Sequence, residues 1–271
     1  MLSPKEFIRC YADIGAAKTR TGATRLLLLA VLAGFFIAIA GSATNVAAHS
    51  LSSVSAAKAV CGALFPFGII MVVLTGAELF TGNCLITVSV LDGTARLSGM
   101  LRNLAIVYLG NFIGAALTAA ACVYSGQLDM SGGALAVYTV RIAAAKCSLG
   151  FGKALLLGVL CNILVCVSVY CALCAKSVPG RAVGAHLPVC IFVICGFEHS
   201  IANMYYIPAG LLALRVPRYA QLVSEAGVEL SRLTAGSFLL NNLLPVTLGN
   251  ILGGLGFAAL MWYCFGGKDR T

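Results

Sequence analysis

The sequence predicts an all-α integral membrane protein: six transmembrane helices in an inverted three-plus-three repeat, with the second and fifth helices broken. Three observations lead there. Of 271 residues, 60% are hydrophobic and only 10% are charged, whereas a soluble domain carries roughly 25% charged residues. Uncharged runs approach the ~20 residues that cross a bilayer. An eight-residue segment bearing polar groups interrupts the apolar chain, and it occurs twice. Gly76-Ala77-Glu78-Leu79-Phe80-Thr81-Gly82-Asn83 and Gly196-Phe197-Glu198-His199-Ser200-Ile201-Ala202-Asn203 both have Gly first, Glu third and Asn eighth.

Residues 1–25 hold Lys5, Arg9, Lys18, Arg20 and Arg25, with Leu2, Phe7, Ile8, Tyr11 and Ile14 near helical spacing. This reads as an amphipathic helix at the cytoplasmic interface. The first span is Leu26–Ala48. The second runs from Val60 to Thr75, breaks at 76–83, and resumes at Cys84–Leu91; neither piece is long enough to cross alone. Irregular backbone at membrane depth must be buried in protein or line a wet cavity. Leu104–Tyr124 is the third span, residues 125–153 a connection, and Ala154–Ala175 the fourth. The fifth is broken like the second, between the arms Leu187–Ile194 and Met204–Leu214. Residues 215–241 read as a polar, partly helical connection, and Leu243–Phe265 as the last span. The whole chain, 1–271, is one membrane domain: 1–25 interfacial, 26–124 the first repeat, 154–265 the second.

The repeat extends past the breaks. Leu109-Gly110-Asn111 matches Leu248-Gly249-Asn250, and Leu28-Leu29-Ala30-Val31-Leu32 resembles Leu156-Leu157-Gly158-Val159-Leu160. Three spans per half is odd, so the halves run oppositely through the membrane. Paired broken helices in corresponding positions point to a transport site. Gly110/Gly114 and Gly249/Gly253 form small-residue faces that serve either an oligomer or packing within one protomer.

The net charge of +9 reads as loop charge facing anionic lipid; no nucleic-acid partner is expected. The N-terminal segment, the 92–103 and 176–186 loops and the C-terminus (Lys268, Arg270) hold most of the 18 Lys and Arg. This favours cytoplasmic termini in a multi-pass protein of a bacterial inner membrane. Cys171 and Cys174 form a lone C-x-x-C at a span end, without a second pair or a nearby histidine. No metal and no cofactor are expected. Twelve cysteines suit a reducing compartment or an anaerobic cell.

Glu78 and Glu198 are the carboxylates within spans. Two roles are open: accepting from N–H groups freed at the break, which is favoured, or direct contact with substrate. His199 is the intramembrane histidine, at a break, with a ring that titrates near neutrality. It reads as a proton-exchange group over a packing residue. Thr81 is a local cap or a hydrogen-bond partner for a small polar solute. Lys146 falls in the 125–153 connection, where surface charge is the usual outcome. Phe65, Ile69, Leu79 and Phe192 read as packing residues.

The two eight-residue segments resemble the two signatures of the formate/nitrite transporter family. Cys161-Asn162-Ile163-Leu164-Val165-Cys166 and Leu243-Leu244-Pro245-Val246-Thr247-Leu248-Gly249-Asn250 are similar to its fourth- and sixth-span patterns. The resemblance covers nearly the whole chain. It implies a homopentamer of aquaporin-like protomers, each with its own pore for a small monoanion such as formate, nitrite, hydrosulfide or lactate. It also implies that Leu79, Phe192, Phe65 and Ile69 form constrictions around a central chamber. Thr81, His199, Asn162 and Asn203 would line that chamber, and Lys146 would draw anions toward it. Cysteine abundance leans the choice of anion toward hydrosulfide or formate. The rival reading is an aquaporin-like channel for small neutral solutes, but its Asn-Pro-Ala boxes are absent. An enzyme is not expected, because no nucleophile–base pair accompanies His199.

Overall fold

The computed structural model describes residues 1–266; Lys268 and Arg270, used above in the charge count, lie outside the described residues. Helix α1 spans Pro4–Arg20 and α2 Ala23–Ala48. The second crossing is α3 (Val54–Leu64) and α4 (Phe67–Thr75), then a break, then α5 (Phe80–Asn83), a 3-10 turn and α6 (Thr87–Leu91). Helix α7 is Leu97–Tyr124, α8 Ala134–Cys147 and α9 Phe151–Cys174. The fifth crossing is α10 (Val178–Cys195) and α11 (Ser200–Ala213) around the second break. Helix α12 (Pro217–Glu225) precedes the last crossing: α13 (Ala235–Ser237), a π-helical turn over Phe238–Leu243 and α14 (Leu244–Phe265).

Six helical segments among the described residues are long and apolar enough to cross a membrane. Each break opens with a glycine at positive φ, Gly76 at +72° and Gly196 at +73°. A side chain in that left-handed region is strained, so glycine closes α4 and α10.

The glycine faces are used inside the protomer. Helix α7 lies along α2 and α14 along α9. A Cβ on Gly114 would strike the carbonyl oxygen of Val31, and one on Gly253 that of Val159. Val31 and Val159 are the matched residues of the two repeats, so the two helix pairs are equivalent. These faces therefore carry no argument for an oligomer.

Two other expectations change. Helix α1 starts with a capping box: Ser3 Oγ accepts from the Glu6 N–H (3.3 Å), and Glu6 Oε2 from the Ser3 N–H (2.6 Å). The Ser3 N–H holds the Glu6 carboxyl below its ordinary range. The apolar face of α1 does not lie on lipid, for Phe7, Ile8 and Tyr11 are buried against Leu85, Val88, Cys166 and Ala258. The 125–153 connection, in turn, contains helix α8, whose last turn carries Lys146. Lys146 on α8 pairs with Glu198 as Lys18 on α1 pairs with Glu78.

Candidate functional site

A break in a membrane helix leaves backbone N–H and C=O groups without helical partners. In the first break the Glu78 N–H donates to Leu29 O (3.2 Å) and the Phe80 N–H to Asn111 Oδ1 (2.9 Å). Asn111 Nδ2 donates to the carbonyls of Ala30 (2.7 Å) and Glu78 (2.9 Å). The second break repeats this bond for bond. The Glu198 N–H donates to Leu157 O (3.3 Å) and the Ser200 N–H to Asn250 Oδ1 (2.9 Å). Asn250 Nδ2 donates to Gly158 O (2.8 Å) and Glu198 O (3.0 Å).

The breaks are thus tied by asparagine, not by the carboxylates. Glu78 accepts instead from Lys18 Nζ (2.8 Å) and Asn83 Nδ2 (2.6 Å). Asn83 also reaches Asn103 Oδ1 (2.9 Å), and Asn103 Nδ2 closes the ring on Lys18 O (3.1 Å). The second ring has the same order. Lys146 Nζ and Asn203 Nδ2 donate to Glu198 (2.8 and 2.6 Å), Asn203 to Asn242 Oδ1 (2.7 Å), and Asn242 to Lys146 O (3.0 Å). Lys146 is therefore an ion-pair partner on a helix, its side chain 16% exposed, and not a solvated loop charge.

Three cavities lie in series between the two rings. One, of about 340 Å³, is lined by Lys58, Lys146, Glu198 and Tyr206 and narrows at Phe65, Phe192 and His199. Another, of about 170 Å³, is lined by Tyr11, Ile14 and Lys18 of α1 and narrows at Ile69 and Leu79. All five narrowing residues also line a void of about 10 Å³ between them, which has room for about one water. The centre is hence a plugged passage, not an open chamber. The Phe65 and Phe192 rings meet edge to face, centroids 6.0 Å apart.

His199 lines this void, and its ring is hydrogen-bonded to Thr81. The Ala202 N–H donates to His199 Nδ1 (3.3 Å), so Nδ1 presents its lone pair. The neutral ring then carries its proton on Nε2, which donates to Thr81 Oγ1 (2.9 Å). Like Thr81, Asn162 and Asn203 do not line the three cavities. Asn162 Nδ2 donates to Asn250 O (2.6 Å) in the α9–α14 packing, and Asn203 belongs to the Glu198 ring.

A family model described as formate/nitrite transporter matches residues 5–264. The chain belongs to the formate/nitrite transporter family. It is similar to a probable formate transporter of Methanothermobacter thermautotrophicus, 35% identical over 282 residues and covering 97% of each chain. It is 34% identical to the formate channel FocA of Escherichia coli K12, over 94% of this chain and 90% of the relative. A solved pentameric formate channel with formate bound superposes at a TM-score of 0.80 with 33% identity, covering 91% of this chain and 98% of the other. A second solved structure, an FNT family ion channel, gives 0.81 at 26% identity, covering 95% and 98%. The protein is a multi-pass membrane member of this transporter family, with its aquaporin-like protomer.

Lys18, Asn103, Asn242 and Lys58 are site residues that sequence reasoning missed. A signal existed for two of them: Asn103 and Asn242 each stand eight residues before the asparagine of the Leu-Gly-Asn match.

Proposed function

We propose that this family member passes formate, or another small monoanion of a weak acid such as nitrite or hydrosulfide, through a pore in each protomer of a homopentamer. What supports this reading is the void lined by His199, whose ring is hydrogen-bonded to Thr81, between two apolar constrictions that each open to a lysine-bearing vestibule. The formate bound in the pentameric structural relative points the same way. The cytoplasmic membrane with cytoplasmic termini is the proposed location, on the loop-charge bias.

A bare anion in a dry constriction pays a large desolvation cost, and Ile37, Val165 and Val189 in the wall of the void offer it no hydrogen bond. A neutral acid pays less. The lysine-bearing vestibule gathers the anion, and the proton is exchanged at the centre. In that step the ring takes a proton from the vestibule solution on Nδ1, giving up the Ala202 bond. The Nε2 proton passes to the anion, and the neutral acid moves on past Phe192 or Leu79. Asn162 and Asn203 act through the frame, holding α14 and Glu198.

The test is flux of formate, nitrite and hydrosulfide into proteoliposomes across a pH series. His199→Phe should lower flux sharply and flatten the pH profile. His199→Asn, which hydrogen-bonds but cannot titrate, should keep some conduction with altered pH dependence. Wild-type pH dependence in both variants would sink the proton-exchange role.

A further inference from the structure

Lys18 and Lys146 each face a carboxylate oxygen at 2.8 Å, so each pair offers its vestibule a dipole and no net charge. The vestibule away from α1 holds a further lysine. Lys58, exposed on α3, lines it together with Lys146 and Glu198. Among the described residues no carboxylate lies within ion-pair distance of Lys58. Its Nζ stands 3.2 Å from where a Cβ on Gly196 would sit. Gly196 opens the second break, two residues before Glu198 and three before His199. The absence of a side chain there leaves the ammonium over the rim of the passage, at the negative end of α10. The α1-side vestibule has no equivalent. Lys18 is its charged lining residue, and the position that precedes Gly196 as Lys58 precedes Gly76 is Val178.

We propose that Lys58 is the anion-collecting residue of this vestibule and forms the first station for a small monoanion. Lys146 then acts as a positioning residue for Glu198. The inference rests on the anion-transport reading above, and it makes entry from the Lys58 side the electrostatically favoured one. A free charge acts over several ångströms, whereas a salt-bridged pair largely cancels; in water one unit charge about 6 Å away changes local anion occupancy about threefold. An exposed charge is also screened by salt, over about 8 Å at physiological ionic strength.

The experiment is formate uptake by proteoliposomes against formate concentration, at low and high ionic strength, for wild type, Lys58→Gln and Lys58→Arg. Size-exclusion elution at the wild-type position checks that each variant is folded and assembled. At low salt Lys58→Gln should raise the half-saturating concentration about threefold with maximal flux retained. High salt should close the gap, and Lys58→Arg should match wild type. Wild-type concentration dependence in Lys58→Gln, a gap that persists in high salt, or failure of the Arg variant overturns the assignment. A wild-type protein that carries no formate, nitrite or hydrosulfide overturns the transport reading, and this inference with it.

Discussion

Leu79 and His199 occupy the same place in the two halves. Each precedes a short helix with extended backbone, at φ −109°, ψ 125° and φ −112°, ψ 114°. Around them the hydrogen-bond order is the same: a lysine, a glutamate and two asparagines close a ring, and a third asparagine ties the break. Only the first ring adds a bond from Lys18 Nζ to Asn83 Oδ1 (3.1 Å). Yet one position presents an apolar plug and the other an imidazole, and two residues later the first half has Thr81 where the second has Ile201. The frame is duplicated because both breaks have the same problem, backbone polar groups at membrane depth that only protein can satisfy. The tip residues are free of that duty. They can differ, and the pore's polarity lies in the difference.

Breaking the frame should therefore cost the two halves alike. The largest effect is expected for Glu78→Gln and Glu198→Gln, each of which strands a partly buried lysine. Removing one partner of a buried pair costs about 3 kcal/mol, discounted here by the 23% and 16% exposure of the lysine side chains. The loss should read out as less assembled protein after heating, and in the second half Lys146→Met should recover part of it. If both glutamate variants assemble normally and change only which anion passes, the ring is not structural.

Somewhat smaller losses, about 2 kcal/mol, are expected for Asn111→Ala and Asn250→Ala, which orphan the N–H and carbonyl groups of their breaks. Asp at either site should not rescue, since two carbonyls need the Nδ2 donor. Thermal melts in which one asparagine matters and the other does not would end the equivalence of the halves.

The tip residues should behave differently. Thr81→Val keeps the shape of the side chain but removes the acceptor of the His199 Nε2 proton. Losing one such bond, about 1.4 kcal/mol, corresponds to about a tenfold drop in flux, and Thr81→Ser should restore it. Ile201→Val, the matching change in the other half, should cost only about 1 kcal/mol of stability and leave flux at the wild-type level. Liposome uptake beside a melt separates the two; equal flux losses at both positions would deny that Thr81 has any special role.

Local patterning was enough to expose the crossings, both breaks and their repetition, because apolar run length and a Gly–Glu–Asn spacing are properties of contiguous chain. The pairing of Lys146 with Glu198, and of Lys18 with Glu78, joins residues 52 and 60 positions apart, and no window on the chain contains both. For the same reason Lys146 read as a loop charge until α8 brought it beneath the second break, and the carboxylates read as caps until asparagines from α7 and α14 took that duty. The glycine faces were legible as close-packing surfaces, but only the tertiary structure decided that their partners are α2 and α9 of the same chain. Which lysine keeps an uncompensated charge was likewise undecidable from composition, since a charge is cancelled by what stands beside it in space and not by what stands beside it in sequence.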